Sequence, residues 1–62
     1  MKFAPFESRD KKPVYVNPAL VTCVKEVNEK ACLVYFGPDH SVEIPMQASL
    51  VVEDLQRAFW KG

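Results

Sequence analysis

Residues 13–45, PVYVNPALVTCVKEVNEKACLVYFGPDHSVEIP, alternate short apolar runs with turn-forming residues, and their reading decides the fold. The most informative run is Ala31 to Phe36. Successive side chains of a strand point to opposite faces, so Cys32, Val34 and Phe36 share one face while Leu33 and Tyr35 share the other. Apolar residues on both faces predict the central strand of a sheet. Gly37-Pro38-Asp39-His40 is a turn signal, and Ser41-Val42-Glu43-Ile44 alternates as a half-buried strand until Pro45 stops it.

Toward the N-terminus, the polar Asn28-Glu29-Lys30 closes a hairpin into that central strand, and Val21 to Val27 supplies its partner. Val21 and Val24 lie three apart, which breaks the two-residue period and predicts either a bulge or a strand that begins after Val21. Asn17-Pro18-Ala19-Leu20 combines an N-capping asparagine with a proline at the first helical position, the pattern of one helical turn that redirects the chain. Val14-Tyr15-Val16 is a strand. The charged run Glu7-Ser8-Arg9-Asp10-Lys11-Lys12 has nothing apolar to bury and is a solvated turn into Pro13. Phe3 and Phe6 flank Pro5 in a segment suited to an edge strand, where a missing backbone donor is tolerated.

After Pro45 the period lengthens to about 3.6 residues, and Ala48, Val52, Leu55 and Phe59 form one helical stripe expected to face the sheet, with Val51 and Trp60 off it. Ser49 is the expected N-cap. Glu53 and Asp54 are assigned to the first turns, Lys61 to the last and Gly62 to the stop, all favourable to the helix dipole. The expectation is a single α+β domain spanning 1–62: a small antiparallel β-meander of three to four strands with one C-terminal helix packed on one face.

A domain of 62 residues buries only about 60% of the surface of its unfolded chain, so something must supplement the core. Hydrophobic residues make up 48% of the chain, which places it among globular sequences, and eight basic residues balance eight acidic ones, so net charge points to no partner. The N-terminus lacks the apolar run of a secretory signal, and no segment approaches the roughly 20 apolar residues of a membrane span. A soluble, cytoplasmic protein is expected.

The order of elements resembles the small flagellar FlbD-like family, through Val14-Tyr15-Val16-Asn17, the apolar pair Val21 and Val24, Gly37, and Val52, Leu55 and Phe59. The resemblance covers nearly the whole chain and implies the same sheet-then-helix fold. Two places depart from it: Arg9-Asp10-Lys11-Lys12 stands where that family often has Asn-Gly, and Pro18 follows Asn17. From Tyr15 onward the chain is also similar to the final part of the LytTR DNA-binding domain, through Val16-Asn17, Val21, Val24, Gly37, Ile44-Pro45 and Leu55. LytTR domains carry basic side chains where this chain has Pro38-Asp39-His40, so no DNA-contacting role passes to a particular residue.

No catalytic constellation is legible. The single histidine, His40, lies in a turn with no reason to meet Cys23 or Cys32 as a base, and the three together are too few for a metal site. Glu53-Asp54 are explained by the helix dipole, and two glycines cannot build a phosphate loop. The expectation is a non-enzyme without a cofactor or metal. A hairpin centred between Val27 and Asn28 would set Cys23 opposite Cys32 at disulfide distance; the competing reading makes both of them reduced core residues.

One helix cannot cover both faces of the sheet, which leaves apolar strand positions in need of a partner. The first functional expectation is therefore a small protein-interaction module or regulatory adaptor acting as a homodimer, with Tyr15, Leu33, Tyr35 and Trp60 as interface residues. The second is a nucleic-acid-binding regulator that contacts phosphates through Arg9, Lys11 and Lys12, with tyrosines as stacking faces.

Overall fold

The computed structural model describes residues 2–60. It shows an α+β fold of two antiparallel sheets and one C-terminal helix packed against the strands. Strands β1 (Ala4–Glu7) and β2 (Pro13–Val16) form a two-stranded sheet, and β3 (Cys23–Asn28), β4 (Ala31–Gly37) and β5 (His40–Ile44) form a three-stranded meander with β4 in the centre. Helix α1 runs from Ala48 to Trp60. It is not long or apolar enough to cross a membrane.

The strands thus number five, in two sheets. The division follows from the segment Asn17–Leu20. The Asn17 side chain accepts from the Ala19 amide at 3.0 Å and caps a 3₁₀ turn over Pro18–Leu20, which swings the chain away before β3 can continue beside β2. The first hairpin closes through a turn whose Lys11 amide donates to the Ser8 carbonyl at 2.9 Å, followed by Lys11 itself in the left-handed region at φ 64°, a three-residue loop geometry. Pro5 and Pro13 are accommodated because both strands of a two-stranded sheet are edges.

Strand β3 begins at Cys23, after Val21, and its pairing with β4 shifts between Glu26 and Asn28. Of the two alternatives that the Val21–Val24 spacing predicts, the later start is the one present; the shift at Asn28 lies outside that interval. The Asn28 side chain accepts from the Lys30 amide at 2.8 Å and tightens the turn. A second shift falls between Tyr35 and Gly37, where Gly37 takes φ 157°, a backbone that side-chain-bearing residues rarely adopt.

The core lies between the sheets and the helix. It joins Ala4 and Phe6 from β1, Val16 from β2, Cys32 and Val34 from β4, Ile44 from β5, and Val51 and Leu55 from α1. Burying each of the larger of these side chains contributes about 1.5–3 kcal/mol. The Lys2 amide donates to the Ala58 carbonyl at 3.0 Å, fastening the N-terminal segment to the C-terminal part of α1.

The helix is rotated relative to the expected stripe. Val51 is fully buried and Leu55 nearly so, with Ala48 and Ala58 against the core, whereas Val52 and Phe59 are 37% and 45% exposed. The face is Ala48, Val51, Leu55 and Ala58. The helix also starts two residues earlier than an N-cap at Ser49 requires: the Gln47 carbonyl accepts from the Val51 amide at 3.2 Å, so Ser49 lies inside the first turn. Glu53 and Asp54 sit beyond that turn and are occupied by Arg57, at 3.6 and 3.2 Å. Lys61 and Gly62 lie outside the described residues.

Candidate functional site

Among the described residues, nine hydrophobic side chains are buried while eight large ones are exposed: Phe3, Tyr15, Leu20, Val27, Leu50, Val52, Phe59 and Trp60. Several of the exposed residues are not scattered. Val52, Phe59 and Trp60 form one wall of a groove whose other wall is Pro18 and Val21, with Val24 and Leu55 also lining it. Gln56 is its one polar lining residue. The 3₁₀ turn builds this groove, because by redirecting the chain it carries Pro18 and Val21 alongside the helix. Phe59 and Trp60 meet edge to face with ring centres 5.5 Å apart, a preferred aromatic geometry.

A second groove opens between β2 and the β4–β5 hairpin. Phe3, Tyr15, Leu20 and Phe36 line it together with His40. The His40 and Phe36 rings lie 5.3 Å apart, edge to face. The turn histidine thus has an aromatic neighbour, a contact that sequence spacing alone does not reveal.

The four expected interface residues do not form one patch. Tyr15 belongs to the second groove and is 64% exposed; Trp60 belongs to the first and is 79% exposed. Leu33 and Tyr35 project from the outer face of β4, where each is half-buried. Leu33 lies between Lys25 and Glu43, and Tyr35 between Cys23 and Ser41. That face is interleaved with polar side chains, so the apolar surplus sits beside the helix and the 3₁₀ turn instead. Periodicity alone places Val52 and Phe59 in the core, whereas both are at the surface; the signal that periodicity lacks is the helix phase.

The basic turn is partly engaged within the molecule. Arg9 is ion-paired with Glu43 of β5, its Nε donating to Oε2 at 2.7 Å. Lys11 and Lys12 are exposed. Arg9 and Lys11 share an open groove with Lys30, but Glu7 and Glu29 line it too. The Ser8 hydroxyl donates to the Asp10 carboxylate and holds it below the usual carboxylate range. The turn is therefore of mixed sign.

The cysteines are free and not opposed. The hairpin turns at Glu29-Lys30, later in the chain than opposed cysteines require, so Cys23 lies across from Tyr35 and Cys32 across from Glu26. Cys23 is exposed on the outer face and Cys32 is buried on the inner one, so the expectation of two core thiols holds for Cys32 alone. Burial pushes the Cys32 thiol up. No three His, Cys, Asp or Glu side chains converge as metal ligands among the described residues. Comparison with protein-family models, with curated proteins and with solved structures finds no match.

Proposed function

We propose that this chain is a non-enzymatic protein-interaction module, a small regulatory adaptor that works as a homodimer and uses the groove between α1 and the 3₁₀ turn. The observation that supports this reading is the concentration of exposed apolar side chains there, Val52, Phe59 and Trp60, without a charged residue in the lining. Aromatic side chains of this kind dominate binding energy when a partner desolvates them. The test is light scattering of the purified chain at about 100 μM, where a micromolar complex is largely formed. A dimer that Trp60→Ala weakens supports the reading, and a monomer at that concentration overturns it.

The second reading, a nucleic-acid-binding regulator, rests on exposed Lys11 and Lys12 beside Arg9. Against it stand the pairing of Arg9 with Glu43 and the acidic residues around the turn. Phosphate contacts release counterions, so affinity for mixed DNA and RNA fragments would fall steeply with salt, and the slope would drop by about one unit on removal of each lysine. Absence of binding at low salt ends this reading.

A further inference from the structure

Resting on the homodimer reading, we infer that the occupant of this surface is the helix of a second copy, packed antiparallel across a two-fold axis at Gln56. At about 100° per residue, Phe59, Val52, Gln56, Ser49 and Trp60 fall within an arc about 100° wide on α1. All are uncharged. In a two-fold contact the same surface meets itself, so a charge near the axis would confront its own like charge; this arc has none. Glu53 borders it on one side and Arg57 lies beyond on that same side, already within 3.6 Å of each other along the helix. In the antiparallel arrangement those borders come together, setting Glu53 of one copy toward Arg57 of the other. The margin is complementary where the centre is neutral.

The contact also matches end to end. With Gln56 on the axis, Val52 of one copy lies opposite Phe59 and Trp60 of the other, a small side chain against two large ones, twice over. The groove beside the helix, about 230 Å³, falls below the roughly 300–1,000 Å³ of small-molecule sites and suits an inserted side chain. Gln56 at the axis can hydrogen-bond to its own counterpart, as a polar residue that sets the register of paired helices does.

The experiment uses charge at the axis. Gln56→Lys and Gln56→Asp are made in the full chain, with folding checked by circular dichroism, which an exposed helix position should leave unchanged. Each variant alone is expected to dimerise at least about tenfold more weakly, since like charges then face each other, and an equimolar mixture should recover the dimer. Sedimentation equilibrium reads both. If the original chain dimerises and either charged variant dimerises equally well alone, or the mixture recovers nothing, the two-fold contact at Gln56 is overturned while the homodimer stands. If the original chain is monomeric, both readings fall.

Discussion

Arg9 and Glu43 lie 34 positions apart in the chain, yet the guanidinium Nε donates to the carboxylate Oε2 at 2.7 Å, tying the turn of the first hairpin to the edge strand of the three-stranded sheet. The pair is well exposed, with Arg9 68% and Glu43 35% accessible. Exposed pairs of this kind contribute about 0.2–1 kcal/mol. Arg9→Ala and Glu43→Ala are each expected to lower stability within that range, and the double variant by less than the sum. Urea denaturation of the four proteins checks this; strict additivity would show that the pair contributes no coupling.

Helix phase yields a sharper contrast. Val51→Ala opens a cavity in the core and should cost about 1–3 kcal/mol, and Leu55→Ala about 2–5 kcal/mol, enough to unfold much of so small a domain. Val52→Ala and Gln56→Ala should cost less than about 0.5 kcal/mol in the monomer. Denaturation at a concentration too low for association separates the two groups. If Val52→Ala proved as damaging as Val51→Ala, the helix would be seated in a different phase.

The two thiols should differ in reactivity. Cys23 is exposed and Cys32 is buried, so a maleimide is expected to label Cys23 in the folded chain and Cys32 only on unfolding. Mass spectrometry with and without urea reads this. Because burial raises the Cys32 thiol, the folded state holds that proton more tightly than the unfolded chain does. The resulting stability is complete below the ordinary thiol range and is lost as pH rises through the raised value. The denaturation midpoint should therefore fall on the alkaline side, less steeply in Cys32→Ala.

Lys11 occupies the left-handed region at φ 64°, where a side chain costs about 1–2 kcal/mol that glycine avoids. Part of that gain is offset by the greater freedom of glycine in the unfolded chain. Lys11→Gly is expected to raise stability by up to about 1 kcal/mol, and β-branched Lys11→Val to lower it by about 1 kcal/mol. A thermal melt of each variant measures the sign. A destabilised Lys11→Gly would mean that the lysine side chain contributes more than its backbone costs.

Local chemistry made the succession of elements legible. Asn17-Pro18 specifies a capped turn, Gly37-Pro38-Asp39 a hairpin, and Ala31 to Phe36 a strand apolar on both faces; each appears where its residues place it. These signals act over a few residues and need no knowledge of distant partners. The mixed polarity of the basic turn was also readable, from Glu7 and Asp10 among Arg9, Lys11 and Lys12.

The sequence by itself thus determined which segments form strands and which forms the helix, because turn chemistry and side-chain period are local. Only the tertiary structure decided how they face one another. Val51 and Val52 are adjacent and equally apolar, and Leu55 satisfies the stripes of both, so periodicity cannot choose between them; the surface offered by β1, β3, β4 and the 3₁₀ turn does. The pairing of β3 with β4 depends likewise on where the chain turns: the reversal at Glu29-Lys30 sets Cys23 across from Tyr35 and Cys32 across from Glu26, so the two cysteines are not opposed. Because a change of phase in a helix alters which side chains are buried, the seating of α1 left Val52, Phe59 and Trp60 at the surface, and the 3₁₀ turn beside it completed the groove on which the functional reading rests.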